Sequence, residues 1–319
     1  MVSPRGVDCK QPLRPSTGRP GVWYASAHVT ARIPTIGLAA ALAVALAAGS
    51  CAAEAEEAEG VAEESPAELT REFNDPLTVV PQIFVQDAYT PSSFGTEAQA
   101  NRVIARLILP RVPRFSLFPL VQLIRPSMSL VTVPTGRGRG TRTEFGDMQL
   151  FDLAVLPWPK RETGIYLGVG PVFVFPTATH ESAGQGAWQA GPAFGAIYKK
   201  IPGLLIGILV QNPISFAYTS PNRRPVNTLL VQPIIAQHLW RGLYVKSADA
   251  TWSFGWHEGS PTTIPLSAGL GWVLPREGSP PLNLFVSGEW MVHRENAPVA
   301  PQTMVRFGVT VALPALSPW

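Results

Sequence analysis

Two His-Glu pairs, His180-Glu181 and His257-Glu258, are the residues of this sequence nearest in type to a metal site. A zinc-binding helix carries histidines four apart on one face, and neither pair has that spacing, so no metal is assigned. Ser182 follows His180 and Glu181 and completes the residue types of a hydrolase triad. Neighbouring loop positions do not aim such groups at one another, and the chain has no Gly-x-Ser-x-Gly elbow and no phosphate-binding P-loop. Cys9 and Cys51 are the two cysteines, and both precede the body of the chain, which therefore has no disulfide, thiol nucleophile or cysteine metal site. No catalytic residue, cofactor or enzyme activity is expected.

The other ionisable residues suggest binding and filtering instead. Asp147, His238, Asp249, Glu289, His293 and Arg306, with Gln211 and Gln232, fall on the inward parity of extended segments, where they would set solute preference or pair with one another to stiffen a lumen. Gly136-Arg137-Gly138-Arg139-Gly140-Thr141-Arg142 is the densest positive stretch. Arg137, Arg139 and Arg142 offer guanidinium forks to lipopolysaccharide phosphates if this is an external loop, and form a solvated hairpin tip if it is not. Arg223 and Arg224 extend the same choice. The net charge of +3 comes from basic residues scattered along the chain, so nucleic acid is not expected as a partner.

What must position these residues is set by Gly and Pro, 28 and 33 of them in 319 residues, which leave room for no long helix after residue 75. Strands are the default, and Trp188–Tyr198 shows their character. Trp188, Ala190, Pro192, Phe194, Ala196 and Tyr198 share one side, while Gln189, Gly191, Ala193, Gly195 and Ile197 share the other. At a rise of ~3.3 Å per residue and a tilt of ~40°, the terminal aromatics stand roughly 25 Å apart along a membrane normal, about the height of the apolar band of an outer-membrane barrel.

From Val79 onward twelve such segments alternate with turns: Val79–Tyr89, Gln99–Leu109, Phe118–Val133, Glu144–Pro157, Gly164–Phe175, Trp188–Lys199, Leu204–Phe216, Val226–Leu239, Leu243–Trp256, Thr262–Leu274, Leu282–His293 and Thr303–Leu313. Trp188, Tyr198, Tyr218, Tyr244, Trp256 and Trp272, with Trp240 and Trp290, fall where interface aromatics belong, while the inner parity is rich in Gly, Ser and Thr. In Leu243–Trp256 the outward set is Tyr244, Ala248, Ala250, Trp252, Phe254 and Trp256. Long connections alternate with tight ones at Lys200–Gly203 and Arg241–Gly242. The expectation is an all-β, antiparallel, up-and-down transmembrane barrel of about 12 strands over 77–319, its apolar face toward lipid and its inner face toward water.

The N-terminal part reads as an address. Residues 1–53 hold an apolar run, Ile36–Ala53, preceded by Arg32 and ending in small residues, as a secretory signal does. Cleavage near Ser50 or Ala53, lipidation at Cys51 and a retained anchor are the alternatives, and the long stretch before Arg32 suggests a true start near Val29. Residues 54–76 form an acidic linker, best left without structure, and a short helix. Ser65-Pro66-Ala67-Glu68 is a capping box with Pro at the first helical position, which starts that helix and carries it to about Phe73. It is either a plug or a lead-in to the first strand.

GVGPVFVFPTAT at 168–179, GQGAWQAGPAFGAIYK at 184–199, VQPIIAQHL at 231–239, TIPLSAGLGWVL at 263–274 and RFGVTVALP at 306–314 resemble a bacterial outer-membrane family whose members are labelled transporter-like or phenol-degradation (meta-pathway) proteins. The match runs over about 75–314. It implies an outer-membrane β-barrel and a passive channel for small or aromatic compounds, and it brings no catalytic residues. The first expectation is a monomer in outer-membrane lipid and lipopolysaccharide that passes small, aromatic or hydrophobic solutes. A closed structural or adhesin-type barrel and a secreted lipid-binding β-protein are the other readings. The chain departs from barrel habit at its end, where Pro314–Trp319 follows the last strand and only Trp319 stands in for the usual terminal aromatic.

Overall fold

The computed structural model describes residues 65–96, 98–111, 120–134, 141–157, 163–247, 249–276 and 279–314. The apolar run with Cys51, the acidic stretch, Arg137, Arg139 and Trp319 lie outside the described residues. Helix α1 (Pro66–Asn74) begins on the expected capping box. The Glu68 N–H donates to Ser65 Oγ at 3.3 Å and the Ser65 N–H donates to Glu68 Oε2 at 3.1 Å, satisfying groups that a helix start leaves without partners. Leu69 and Phe73 on one side of α1 pack against Tyr244 and Val273.

The strands are β1 (Gln82–Phe94), β2 (Ala100–Arg111), β3 (Val121–Pro134), β4 (Thr141–Phe145), β5 (Met148–Val155), β6 (Ile165–Phe175), β7 (Ala187–Tyr198), β8 (Leu204–Gln211), β9 (Ile214–Tyr218), β10 (Thr228–Trp240), β11 (Leu243–Lys246), β12 (Trp252–Gly255), β13 (Thr262–Leu274), β14 (Leu282–Glu295) and β15 (Ala300–Ala312). β4 and β5, β8 and β9, and β11 and β12 are the halves of single spans, so the wall is a closed antiparallel barrel of 12 strands. β15 returns to β1 and pairs from Ala312 opposite Gln82 to Ala300 opposite Phe94. Closure leaves no open edge, which a wall standing in hydrocarbon requires because no water is there to satisfy free N–H and C=O groups.

Side chains alternate across that wall. On β7, Phe194 is 40% exposed while Gln189, Ala193 and Ile197 are buried; on β13, Leu266, Leu270 and Trp272 are exposed while Pro265 and Val273 are buried. Ile206, Ile235, Leu284, Val286, Phe307, Leu107 and Met128 carry the exposed apolar surface around the barrel. A soluble monomer rarely shows apolar patches beyond about 300–600 Å², and a continuous girdle of this kind is accommodated by lipid. One polar interruption is Asp87, which lies opposite Phe307 and so shares its outward side, with Asn101 beside it.

Three expectations are corrected by bulges. Lys246 lies opposite Ala236 and Trp252 opposite Val231, so β11 and β12 together hold one residue more than the facing stretch of β10. The extra residue inverts the parity, and Tyr244 points inward, 0% exposed, where an interface aromatic was expected. In β14, Met291 lies opposite Pro265 but His293 opposite Ile264, leaving Val292 as the extra residue. His293 consequently shares the side of Ile264 and is exposed instead of facing the lumen. Between Phe145, opposite Leu130, and Gln149, opposite Ser127, a third bulge takes Asp147 out of the alternation.

The inner face is also less polar than its small residues suggest. Leu77, just after α1, is 3% exposed and sits in a core with Leu123, Phe151, Leu153, Val172, Ile197, Leu205, Leu209 and Ile234. Gly168 and Gly195 lie against Leu77, and a Cβ at Gly271 would collide with the Tyr244 ring. These inward glycines are sockets for large neighbours. Nor does the contrast between long and short connections hold all round: at the far rim β14 and β15 are joined by only four residues, 296–299.

Candidate functional site

Above the Leu77 core, toward the rim away from α1, the barrel encloses a cavity of about 510 Å³. Strand parity delivers its lining. Arg102 and Arg106 come from β2, Arg125 from β3, Gln149 from β5, Gln211 from β8, Gln232 from β10, Glu289 from β14 and Arg306 from β15, while Asp249 comes from the bulge between β11 and β12. Ala88, Ile104, Val131 and Leu230 add apolar wall between them.

Two polar sets are already engaged. Arg306 Nη2 donates to Glu289 Oε2 at 2.7 Å and its Nη1 donates to the Asp249 carbonyl at 2.9 Å. Gln232 Nε2 donates to Asp249 Oδ1 at 3.2 Å, and Gln149 Nε2 donates to Gln211 Oε1 at 2.8 Å. Two of the other three arginines lie over aromatic rings: the Arg106 guanidinium is 4.9 Å from the Phe84 ring centre and the Arg125 guanidinium 4.5 Å from that of Phe151. Arg106 Nε also donates to Ser127 Oγ at 3.3 Å.

Toward α1 the interior narrows to a space of about 60 Å³ lined by Phe73, Asp75, Phe84, Lys246, Asn283 and Phe285. Here the segment after α1 is clamped to the barrel. Lys199, one residue past β7, bridges Asp75 and, at 3.7 Å, Glu72 Oε2. Its ammonium lies 4.9 Å from the Tyr166 ring, and Arg71 Nη1 donates to the Lys199 carbonyl at 3.0 Å. Burial works against the Lys199 charge, yet Asp75 and Glu72 outweigh it and hold its pKa above the ordinary lysine value. The Leu77 N–H donates to Asp75 Oδ1 at 2.7 Å, so the ion pair and the Leu77 seat are one unit.

Of the residues expected inside, Gln211, Gln232, Asp249, Glu289 and Arg306 come together in the cavity. Asp147 instead holds a rim loop, accepting from the Ala178 N–H at 3.2 Å and the Gln185 N–H at 2.6 Å. His238 sits at the α1 end, where its Nε2 accepts from the Gly242 N–H at 3.2 Å and braces the Arg241–Gly242 turn. Trp188, Tyr218 and Trp256 are exposed near the far rim, Trp272 is exposed near the α1 end, and Tyr198 is partly covered there. Arg142 is exposed and 3.6 Å from Glu144, while Arg223 spends its guanidinium on the carbonyls of Glu181 and Gly184. The loop His180 pairs with Ser182 at 2.9 Å and is half-buried.

Arg102, Arg106 and Arg125 escaped the sequence reading. Arg102 and Arg106 share the inward parity of β2 with Ala100, Ile104 and Ile108, but the opposite parity sets Asn101 and Arg111 beside Val103, Ala105, Leu107 and Leu109, so both sides mix apolar with polar residues and alternation assigns the faces only weakly. The legible signal was the charge itself, since two arginines four apart in a membrane strand have only the lumen to face.

No protein-family model and no curated protein matches the sequence. Its fold resembles that of a solved outer-membrane channel. That structure, an outer membrane channel from Pseudomonas putida F1, superposes with a TM-score of 0.51 at 12% identity over 73% of this chain and 94% of the other. The KdgM porin, solved also in complex with disordered oligogalacturonate, aligns at a TM-score of 0.41 and 9% identity over 73% of this chain and 99% of that one. At such identities the likeness concerns the fold.

Proposed function

We propose that this protein is a passive outer-membrane channel through which small solutes cross, entering the charged chamber from the far rim and leaving past the Leu77 seat when that segment shifts. The observation that carries the reading is a chamber lined by charged and amide side chains inside a wall whose outer surface is apolar. Aromatic and hydrophobic solutes are the first to test, as the resemblance to phenol-degradation proteins suggests. Export by the N-terminal signal, a monomeric state and contact of Arg137, Arg139 and Arg142 with lipopolysaccharide belong to the same reading. It asks for no catalysis.

The apolar core around Leu77 favours a second reading, a closed barrel with a structural or adhesive task. Planar-bilayer recording decides between them. A channel is expected to give discrete conductance steps that enlarge in a Lys199→Met, Asp75→Asn double variant, in which the clamp is gone. No steps from either protein would remove the channel and leave the closed barrel.

A further inference from the structure

The chamber carries unequal charge. Four guanidinium groups, Arg102, Arg106, Arg125 and Arg306, face two carboxylates, Asp249 and Glu289. Among the described residues, only Arg306 of the four has a carboxylate within ion-pair distance. Arg125 is 8% exposed, and its Nε has no hydrogen-bond partner. A buried guanidinium donor without an acceptor is costly, more so beside other cations, and Arg106 lies close enough for the two charges to repel. An anion entering the chamber offsets the repulsion between these cations. The nearest fixed carboxylate, Asp249, has one oxygen held by Gln232 and is shared electrostatically among Arg106, Arg125, Arg306 and Lys246.

We propose that Arg102, Arg106 and Arg125 form a binding site for a small organic carboxylate with an apolar body. The planar fork of arginine matches a carboxylate with two parallel hydrogen bonds. Phe84 and Phe151 lie beside the Arg106 and Arg125 guanidinium groups, which both line the chamber, and Ala88, Ile104, Val131 and Leu230 supply the apolar wall for the rest of the ligand. The site deepens the channel reading, on which it rests, by making solute charge a criterion for entry.

The test is equilibrium binding of benzoate and hexanoate to the detergent-purified full chain by titration calorimetry, with benzamide as the uncharged isostere and benzylammonium as the opposite charge. Both carboxylates are expected to bind at least about tenfold more tightly than benzamide, as charge-assisted pairs outweigh neutral ones. Benzylammonium is expected not to bind. Arg125→Gln and Arg106→Gln are each expected to weaken benzoate by about tenfold or more, Arg125→Lys to restore part of the loss, and Arg276→Gln, exposed on the turn after β13, to change nothing. Heat-modifiable migration reports that each variant is folded. Equal affinity for benzoate and benzamide, no carboxylate binding, or full binding by both glutamine variants overturns the site. Conductance steps without carboxylate binding leave the channel and remove the site, whereas binding without steps in any variant does the reverse.

Discussion

Tyr244 Oη donates to Asn283 Oδ1 at 2.8 Å, and the ring is enclosed by Leu69 and Val273. Tyr244→Phe is expected to cost about 1 kcal/mol, the net value of such a bond, and Tyr244→Ala about 3–5 kcal/mol because the cavity cannot collapse. Chemical unfolding in detergent, read by the shift in heat-modifiable migration, measures both. Asp87 gives the opposite expectation. A carboxylate on the lipid side is a burden, so Asp87→Leu should stabilise the barrel by up to about 2 kcal/mol, and a loss of stability would mean that something polar covers it. Alternation misassigned Tyr244 because a tyrosine suits a membrane interface and a buried socket equally well. What separates the two is the glycine opposite, Gly271, and that partner is known only once β11 is seen to pair with β13.

The segment from α1 to Pro81 behaves as one piece. Its capping box was legible because both bonds lie within four residues, and its anchorage was not, because Lys199 is far along the chain from Asp75. Lys199→Met leaves Asp75, whose side chain is 1% exposed, without its counter-ion, and should loosen the seat at a cost of about 3 kcal/mol. In bilayers the expected result is longer or larger openings than wild type. A raised lysine pKa means that the contribution of the charged form is fully present below the unfolded value, about 10.4, and is lost only as pH climbs through the raised one. Channel activity that depends on this clamp should therefore be insensitive to Lys199 across neutral and mildly alkaline pH, and should rise only in strong alkali. A lysine-dependent transition between pH 7 and 9 would contradict the role given to the pair. Bulges belong to the same class of hidden feature. Val292 is ordinary in sequence, and only the register of β14 against β13 shows that it shifts His293 to the other side.

As a barrel, the protein should dissolve its outer surface in hydrocarbon. Brominated lipids are expected to quench a fluorophore placed at Phe194 or Ile206, both exposed on the outer side, and to leave one at Ala193 on the inner side unquenched. Equal quenching at all three sites would mean that no such wall exists. The twelve spans and their closure could be read in advance because period-two alternation and turn residues are local properties, repeated often enough for single errors to cancel. The chamber could not. Five of its residues were legible as polar groups on inward parities, but Arg102, Arg106 and Arg125 sit in strands that mix apolar with polar residues on both faces, and the Leu77 core forms where a loop enters the barrel.

Strand periodicity, turn chemistry and the capping box are written in neighbouring residues, and from them the amino-acid sequence alone determined an antiparallel membrane barrel of twelve spans with one short helix before it. Tertiary structure decided what fills that barrel: which glycines receive a ring, which bulge reverses a face, which arginines gather and how residues 75–80 lock against Lys199. The physical reason is that the wall is stabilised by contacts between adjacent strands of regular pattern, whereas the interior is settled by side chains brought together from several strands and from the segment after α1, at no regular spacing along the chain.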